Sequence, residues 1–340
     1  MRAIVYAEKG PSSVMRLVDR PVPAPGPGQV RVRMVRAGVN PTDWKARAGV
    51  SAPMGFAEVT PGQDGAGVID ALGAGVPGLA AGDRVWLYLG QHGLPYGTAA
   101  EYCVLDWHRV VRLPDSLAGD EAFDLGACLG VPAITAHRAL TSGPRNSRLG
   151  PDSMTGQLVL VQGGAGAVGN AAIQLAAWSG ATVITTVSSD EKAAIARAHG
   201  CDHVIVYTRE DFPARVLAIT GGKKVPVVYD SVGKDTFLQS LDCLAPRGLM
   251  VSFGNASGPV DSFNPGILGA KGSLYLTRPS LGTYGARREE LVGMASELFE
   301  VVRSGAVKIE VHQTYPLREA VRAHRDLEGR RTTGSTVLTV

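Results

Sequence analysis

The stretch with the clearest chemistry is Gly163-Gly164-Ala165-Gly166-Ala167-Val168-Gly169, which follows directly on the apolar run Leu158-Val159-Leu160-Val161. Glycines at this spacing let a chain leaving a buried strand turn tightly. They also bring the backbone of Gly166 against a diphosphate and let Gly169 pack close to the strand. A helix opening at Ala167 and Val168 then offers free N–H groups and the positive end of its dipole to the phosphates. Gly163, Gly164, Gly166, Ala167, Val168 and Gly169 are therefore the expected dinucleotide cradle. A glycine triplet alone is weak; here it stands between a strand and a helix and is followed by a second strand.

That second strand addresses which dinucleotide is held. Enzymes selective for the unphosphorylated coenzyme place a carboxylate at its end, for the ribose hydroxyls. Here Thr182-Val183-Ile184-Thr185-Thr186-Val187 runs into Ser188 and Ser189. Small hydroxyl residues leave room for a 2′-phosphate, and Lys192 just beyond supplies a positive charge. The spacing Ser188-x-x-Glu191 is that of a capping box, so Asp190 and Glu191 serve the first turn of the next helix or, alternatively, touch ribose. NADPH is favoured over NADH.

Metal and nucleophile chemistry have thinner support. Cys103, Cys128, Cys201 and Cys243 form no C-x-x-C pair, and the seven histidines are dispersed. His92 and His137 read as solvent-facing or core residues, and no zinc ligand set is expected. No Gly-x-Ser-x-Gly elbow supports a hydrolytic triad. Hydride transfer without a metal is what remains.

These residues need a scaffold, and the chain changes texture twice. Up to about residue 125 it reads as short β segments between Gly and Pro turns: 2–6, 29–37, 66–72, 84–88, 99–105 and 110–113. With little helical periodicity between them, they suggest a barrel-like β domain. From about 126 to 280, strands alternate with helices. The segment 167–179 places Val168, Ala172, Leu175 and Ala176 on one helical face, and the apolar strands look buried on both sides. A doubly wound parallel sheet follows. The last stretch reads as helix 287–303, strand 308–315, helix 317–327 and strand 335–340. Ser142–Thr155, polar and rich in Gly and Pro, reads as a surface loop.

Composition agrees with a folded α/β enzyme. Of 340 residues, 45% are hydrophobic and 19% charged, and 34 Lys and Arg against 31 Asp and Glu give a formal charge of +3, too balanced for an obligate nucleic-acid binder. Glycine contributes 43 residues, nearly twice the roughly 7% of ordinary chains. With no signal peptide at its start and no run of 18 apolar residues, the chain is expected to be cytoplasmic.

Several stretches together resemble a known family. Gly38-Val39-Asn40-Pro41-Thr42-Asp43-Trp44, Pro61-Gly62-Gln63-Asp64-Gly65-Ala66-Gly67 and Gly82-Asp83-Arg84-Val85 are similar to the N-terminal half of the medium-chain dehydrogenase/reductase superfamily. With Leu129–Leu140, Val228–Gly233 and Arg247–Gly254, they resemble its zinc-free quinone oxidoreductase branch over essentially the whole chain. Zinc-containing relatives carry Gly-His-Glu where this chain has Gly62-Gln63-Asp64, and Cys where it has Asn40.

The resemblance implies an α/β protein. A GroES-like β-barrel-type catalytic domain (1–126 and 282–340) accompanies a Rossmann domain (127–281), with NADPH in the cleft between them. It implies Tyr207, Lys192 and Arg330 around the 2′-phosphate, Arg331 being able to exchange roles with Arg330. Thr135, Phe253, Gly254, Leu276 and Thr277 would line the nicotinamide end. Asn40 is expected to orient the nicotinamide or the acceptor carbonyl, or else to tie down its own loop. Asp43 would hold a neighbouring backbone or Arg47, or act as an acid. Lys45 stands where several members carry Tyr, and either supplies charge near a reduced oxygen or points to water.

The expected reaction is NADPH-dependent reduction of a quinone. Reduction of an enone or alkenal double bond is the enzymatic alternative; cofactor-sensitive RNA binding or a structural role is the non-enzymatic one. Ser273 to Thr277 reads as an edge strand that would pair two copies in a homodimer.

Overall fold

The computed structural model describes residues 1–50, 54–117, 119–142 and 148–340. They divide into two compact units, one of Met1–Pro132, Gly285–Ala295 and Ile309–Val340, the other of Ala133–Tyr284 and Ser296–Lys308.

Along the chain the strands and helices are β1 (Arg2–Val5), β2 (Arg16–Asp19), β3 (Gln29–Val39), α1 (Pro41–Ala48), β4 (Gly65–Leu72), β5 (Arg84–Leu87), β6 (Tyr102–Asp106), β7 (Val110–Arg112) and α2 (Gly119–Cys128). After a π-helical turn over Leu129–Ile134 come α3 (Thr135–Leu140), β8 (Leu158–Gln162), α4 (Ala167–Trp178), β9 (Thr182–Val187), α5 (Asp190–Ala198), β10 (His203–Val206), α6 (Phe212–Ile219), β11 (Val225–Asp230) and α7 (Phe237–Asp242). The rest is β12 (Leu244–Ser252), α8 (Gly266–Ala270), β13 (Tyr275–Thr277), α9 (Leu281–Tyr284), α10 (Arg288–Arg303), β14 (Val311–Pro316), α11 (Ala320–Glu328) and β15 (Ser335–Thr339).

The first unit is built on β3. Its eleven residues pair antiparallel with β4 along one edge, while β6 and β15 share the other. The sheet runs β14-β15-β3-β4-β5-β7 with β6 alongside β3. Alternate residues Val30, Val32 and Met34 enter a core with Ile69, Val85, Leu87, Cys103 and Leu105.

Two helices, α1 and α2, depart from the sequence reading, which has only β structure up to about residue 125. Pro41–Ala48 is helical, with Pro at its start, Asn40 as N-cap and Gly49 as its left-handed C-cap (φ +83°). Helical periodicity is recognised by an apolar stripe, and α1 buries Asp43, Lys45 and Arg47 instead.

The second unit holds, among the described residues, a six-stranded parallel sheet in the order β10-β9-β8-β11-β12-β13. Renumbered from β8, this is 3-2-1-4-5-6, the doubly wound dinucleotide-binding order whose switch point lies beside the first strand. Leu160, Ile184, Ile205, Val228 and Met250 form its core. On α4, Ala172, Leu175 and Ala176 are fully buried and Val168 half-buried. The sequence reading passes over α6, whose Pro213 looks like a breaker but sits in the first turn, behind an Asp211 cap that accepts the Ala214 N–H at 3.0 Å.

The surface loop expected over Ser142–Thr155 is corrected in part. Residues 143–147 lie outside the described residues. Leu149 and Met154 are buried, and the Met154 N–H donates to Ser179 O at 2.7 Å, fastening this segment to the end of α4.

Candidate functional site

The glycine turn leaves β8 at Gly163, whose φ of +74° suits a residue without Cβ. A Cβ on Gly164 would stand 2.2 Å from Thr185 Oγ1, and one on Gly169 2.3 Å from Gly163 O, so both glycines are demanded by the chain's own packing. Gly166 differs. Its backbone is ordinary extended (φ −80°, ψ 162°), it is exposed, and a Cβ there would meet only Gly163 O, at 3.5 Å. Gly166 is also the N-cap of α4, so the N–H groups of Ala167 and Val168 lie beside it in the first turn, where a helix leaves its donors unused. A glycine that its own fold does not require, at a helix N-terminus, is what close approach of a diphosphate calls for.

At the end of β9 the cap is Ser189, not Ser188. Its Oγ accepts the Lys192 N–H at 3.4 Å, which puts Lys192, rather than Glu191, three residues into α5. Two neighbouring serines satisfy the same pattern, and the backbone chose the second. Ser188 is thereby left beside the strand end, with Lys192 Nζ 3.2 Å from its Oγ. Asp190 is held by Arg209, at 2.7 and 2.5 Å. Tyr207, just past β10, is largely exposed.

The other strand ends are fixed from below. Asp230, fully buried at the end of β11, accepts from the N–H groups of Val232 (2.7 Å) and Gly233 (3.0 Å) and from the hydroxyls of Thr236 (2.7 Å) and Ser240 (2.8 Å). This shapes the turn against which Gly254 packs, a Cβ on Gly254 falling 2.2 Å from Ser231 O. Phe253 and Gly254 follow β12, and Leu276 and Thr277 close β13; all four are half-buried. The glycine turn, Ser188, Ser189, Lys192, Tyr207, Phe253, Gly254, Leu276 and Thr277 thus gather at the carboxyl ends of the strands of one sheet, where doubly wound folds bind ligands. Thr135, half-buried, opens α3 in the same unit.

A second polar centre lies in the first unit. The Asn40 N–H donates to Asp43 Oδ2 at 2.7 Å, and Asn40 Nδ2 donates to Asp64 Oδ2 at 2.8 Å. Both Asp64 oxygens also accept the Val131 N–H, at 2.9 and 2.8 Å. Gly130 is required here, because a Cβ would lie 2.1 Å from Asp64 Oδ1. Burial, which disfavours the charged form, pushes Asp43 up to about 8, its neighbour Asp64 adding to the rise, and pushes Asp64 up to about 7.

Asn40 therefore ties down its own loop, and Asp43 holds that loop's backbone. Arg47 is engaged elsewhere, by Gly10 O and Glu328 Oε2, each at 2.6 Å. Lys45 does not reach open water: it is 7% exposed, with Nζ 5.6 Å from the Trp44 ring centre. Arg330, also in this unit, is exposed with φ +56°, and its neighbour Arg331 is paired with Asp326 at 2.6 Å.

No group of three or more His, Cys, Asp or Glu among the described residues is placed to hold a metal ion. His137 Nε2 lies 2.7 Å from Glu297 Oε2, and His92 is exposed. All four cysteines are buried, their thiols pushed up to about 12 by burial.

Residues 26–115 match the alcohol dehydrogenase GroES-like domain, and residues 167–298 match the zinc-binding dehydrogenase family. A quinone oxidoreductase of Pseudomonas aeruginosa is 44% identical over 99% of each chain, and a 2-haloacrylate reductase of Burkholderia is 38% identical over 99% of this chain and 98% of its own. The structure of Escherichia coli quinone oxidoreductase complexed with NADPH, 38% identical, superposes over 100% of both chains with a TM-score of 0.91. The chain belongs to the zinc-free quinone oxidoreductase branch of the medium-chain dehydrogenase/reductase superfamily.

Within that branch the Asn40–Asp64 hydrogen bond gains a meaning. Asn40 stands where zinc-containing members of the superfamily have Cys, and Asp64 where they have Glu. Here those two positions bond to each other through an amide N–H and a carboxylate. Sequence reasoning missed the anchoring roles of Asp64 and Asp230 and the Arg209 pair. Asp64 and Asp230 both stand in quoted family motifs, which was the available signal; Arg209 had none.

Proposed function

We propose that this member of the quinone oxidoreductase branch uses NADPH to reduce a quinone. The observation that carries the reading is the pairing of Gly166, a glycine its own fold does not need at a helix N-terminus, with a β9 end that offers Ser188 and Lys192 and whose nearest carboxylate is already paired. When bound, NADPH supplies a hydride from its nicotinamide. The chain binds the diphosphate through N–H groups at the start of α4, and receives the 2′-phosphate at Ser188 and Lys192, with Tyr207 and Arg330 assigned to it by resemblance. Thr135, Phe253, Gly254, Leu276 and Thr277 position the nicotinamide. A quinone spreads incoming charge over its own conjugated system, so the protein's task is chiefly orientation and exclusion of water. Asn40 and Asp43 hold their own loop in one conformation.

The reading extends to a cytoplasmic homodimer paired through β13. Supporting it are that strand's place at the sheet edge and its exposed Tyr275.

A second reading, hydride delivery to an activated carbon–carbon double bond, is favoured by the likeness to the Burkholderia protein. Loss of NADPH absorbance with benzoquinones and naphthoquinones, set beside short enones, separates the two. Turnover of quinones supports the first reading, turnover of enones alone replaces it with the second, and no oxidation with either class overturns both.

A further inference from the structure

Asp190 is the carboxylate nearest the end of β9, two residues beyond Ser188 and the first residue of α5. An unpaired carboxylate there would repel a 2′-phosphate and invite ribose hydroxyls, the arrangement that favours the unphosphorylated coenzyme. It is not unpaired. Arg209 Nη1 and Nη2 donate to its two oxygens at 2.7 and 2.5 Å, a bidentate clasp. The clasp stands on a second link between the same strand ends, because Thr208 Oγ1 donates to Ser188 O at 3.2 Å. Arg209 also holds the Asp190 carboxyl below the usual carboxylate range, Arg197 adding to the effect. Glu191, the other acid of this turn, is hydrogen-bonded with the Ser189 hydroxyl.

We infer that Arg209 is a specificity-determining residue that acts through Asp190. By cancelling that charge it keeps the β9 end receptive to a 2′-phosphate, and without it Asp190 reverts to a carboxylate selective for ribose hydroxyls. The inference rests on the NADPH reading above and deepens it. It makes the coenzyme preference of this chain depend on a residue from the turn after β10, with Ser188 and Lys192 necessary but not sufficient.

The test is a fluorescence titration of the full chain and its variants with NADPH and, separately, NADH. At low salt, Arg209→Gln is expected to weaken NADPH about fivefold, the scale of one unpaired charge near a phosphate, while NADH binds as well as before or better. Asp190→Asn should leave NADPH within about twofold, and adding it to Arg209→Gln should restore NADPH binding. Arg209→Lys should keep most of the preference, and at about 1 M salt the Arg209→Gln defect should shrink, since charges are then screened beyond ~3 Å.

Equal weakening of both coenzymes would mean a structural role and overturn the inference. So would an Arg209→Gln loss that persists in the Asp190→Asn background, which would make Arg209 a direct ligand, and so would an unchanged coenzyme ratio. In those cases the native chain still prefers NADPH. A native chain without that preference removes the coenzyme assignment itself, and the inference with it.

Discussion

The polar residues singled out as site candidates are used in opposite ways in the two units, although buried Asp230 fastens the parallel-sheet unit from within. In the parallel-sheet unit the groups we assign to a ligand are backbone N–H donors and side chains at strand ends, such as exposed Gly166 and half-buried Ser188 and Lys192. In the other unit Asn40, Asp43, Asp64, Lys45 and Arg47 are all buried, and the hydrogen bonds of Asn40, Asp43, Asp64 and Arg47 are made within the chain itself. The first arrangement leaves donors free for something else to complete. The second uses polar groups as internal fasteners, whose burial is offset by the hydrogen bonds they make, although Asp43 Oδ1 and Arg47 Nε are buried without one. Losing one of these candidate side chains should therefore cost binding in the parallel-sheet unit and stability in the unit built on β3.

Asp64→Ala tests the fastener side and should have the largest effect. It strands the Asn40 amide and the Val131 N–H in a dry interior, at a cost of about 2–4 kcal/mol. Denaturant unfolding should show it as a lower midpoint, and a midpoint close to the native one would mean that the buried network holds nothing.

The glycine turn allows the same contrast within five residues. Gly169→Ala drives a Cβ to 2.3 Å from Gly163 O, and overpacking of that kind costs about 1–3 kcal/mol. Gly166→Ala should leave stability within about 0.5 kcal/mol, as ordinary surface changes do, while NADPH affinity falls at least about tenfold through the lost close approach. If both substitutions unfold the chain alike, or Gly166→Ala binds NADPH normally, the two kinds of site are not distinct.

A further contrast lies in pH dependence. Asp43 is raised from 3.8 to about 8 and Asp64 to about 7. Between the unfolded and folded values the native state binds more protons than the unfolded one, so these groups favour the fold below about pH 4. That advantage is lost as pH rises through 7 and 8. Asp43→Asn keeps an acceptor for the Asn40 N–H and cannot ionise. Its melting temperature should gain on the native chain's steadily from pH 5 to pH 8, and parallel curves would mean that Asp43 is ionised throughout.

The same contrast explains what could be read beforehand. A site made of backbone announces itself, since glycine most readily takes the positive φ at 163 and is what the 2.3 Å approach at 169 demands. The parallel strands announced themselves by apolar runs long enough to be buried on both faces. The loop around Asn40 left no such trace. A buried Asp64 and an exposed aspartate are one letter in a sequence, and α1 hides charged residues where periodicity looks for leucines. The choice of Ser189 over Ser188 as cap turned on one peptide's geometry. Arg209 finds Asp190 across two neighbouring strands, and no local pattern foretells that meeting.

The placement of β15 carries a consequence for biosynthesis. Thr336 to Thr339 pair with Val39 to Arg36, and β14 lies outside them, so a strand from the far end of the chain is an inner member of the first sheet. That sheet stays incomplete until β14 and β15 have been made, whereas the six parallel strands come from one stretch made earlier. Chain closures over such separations are slow. Removing Ser335–Thr339 should therefore damage a sheet whose other strands are mostly made long before it.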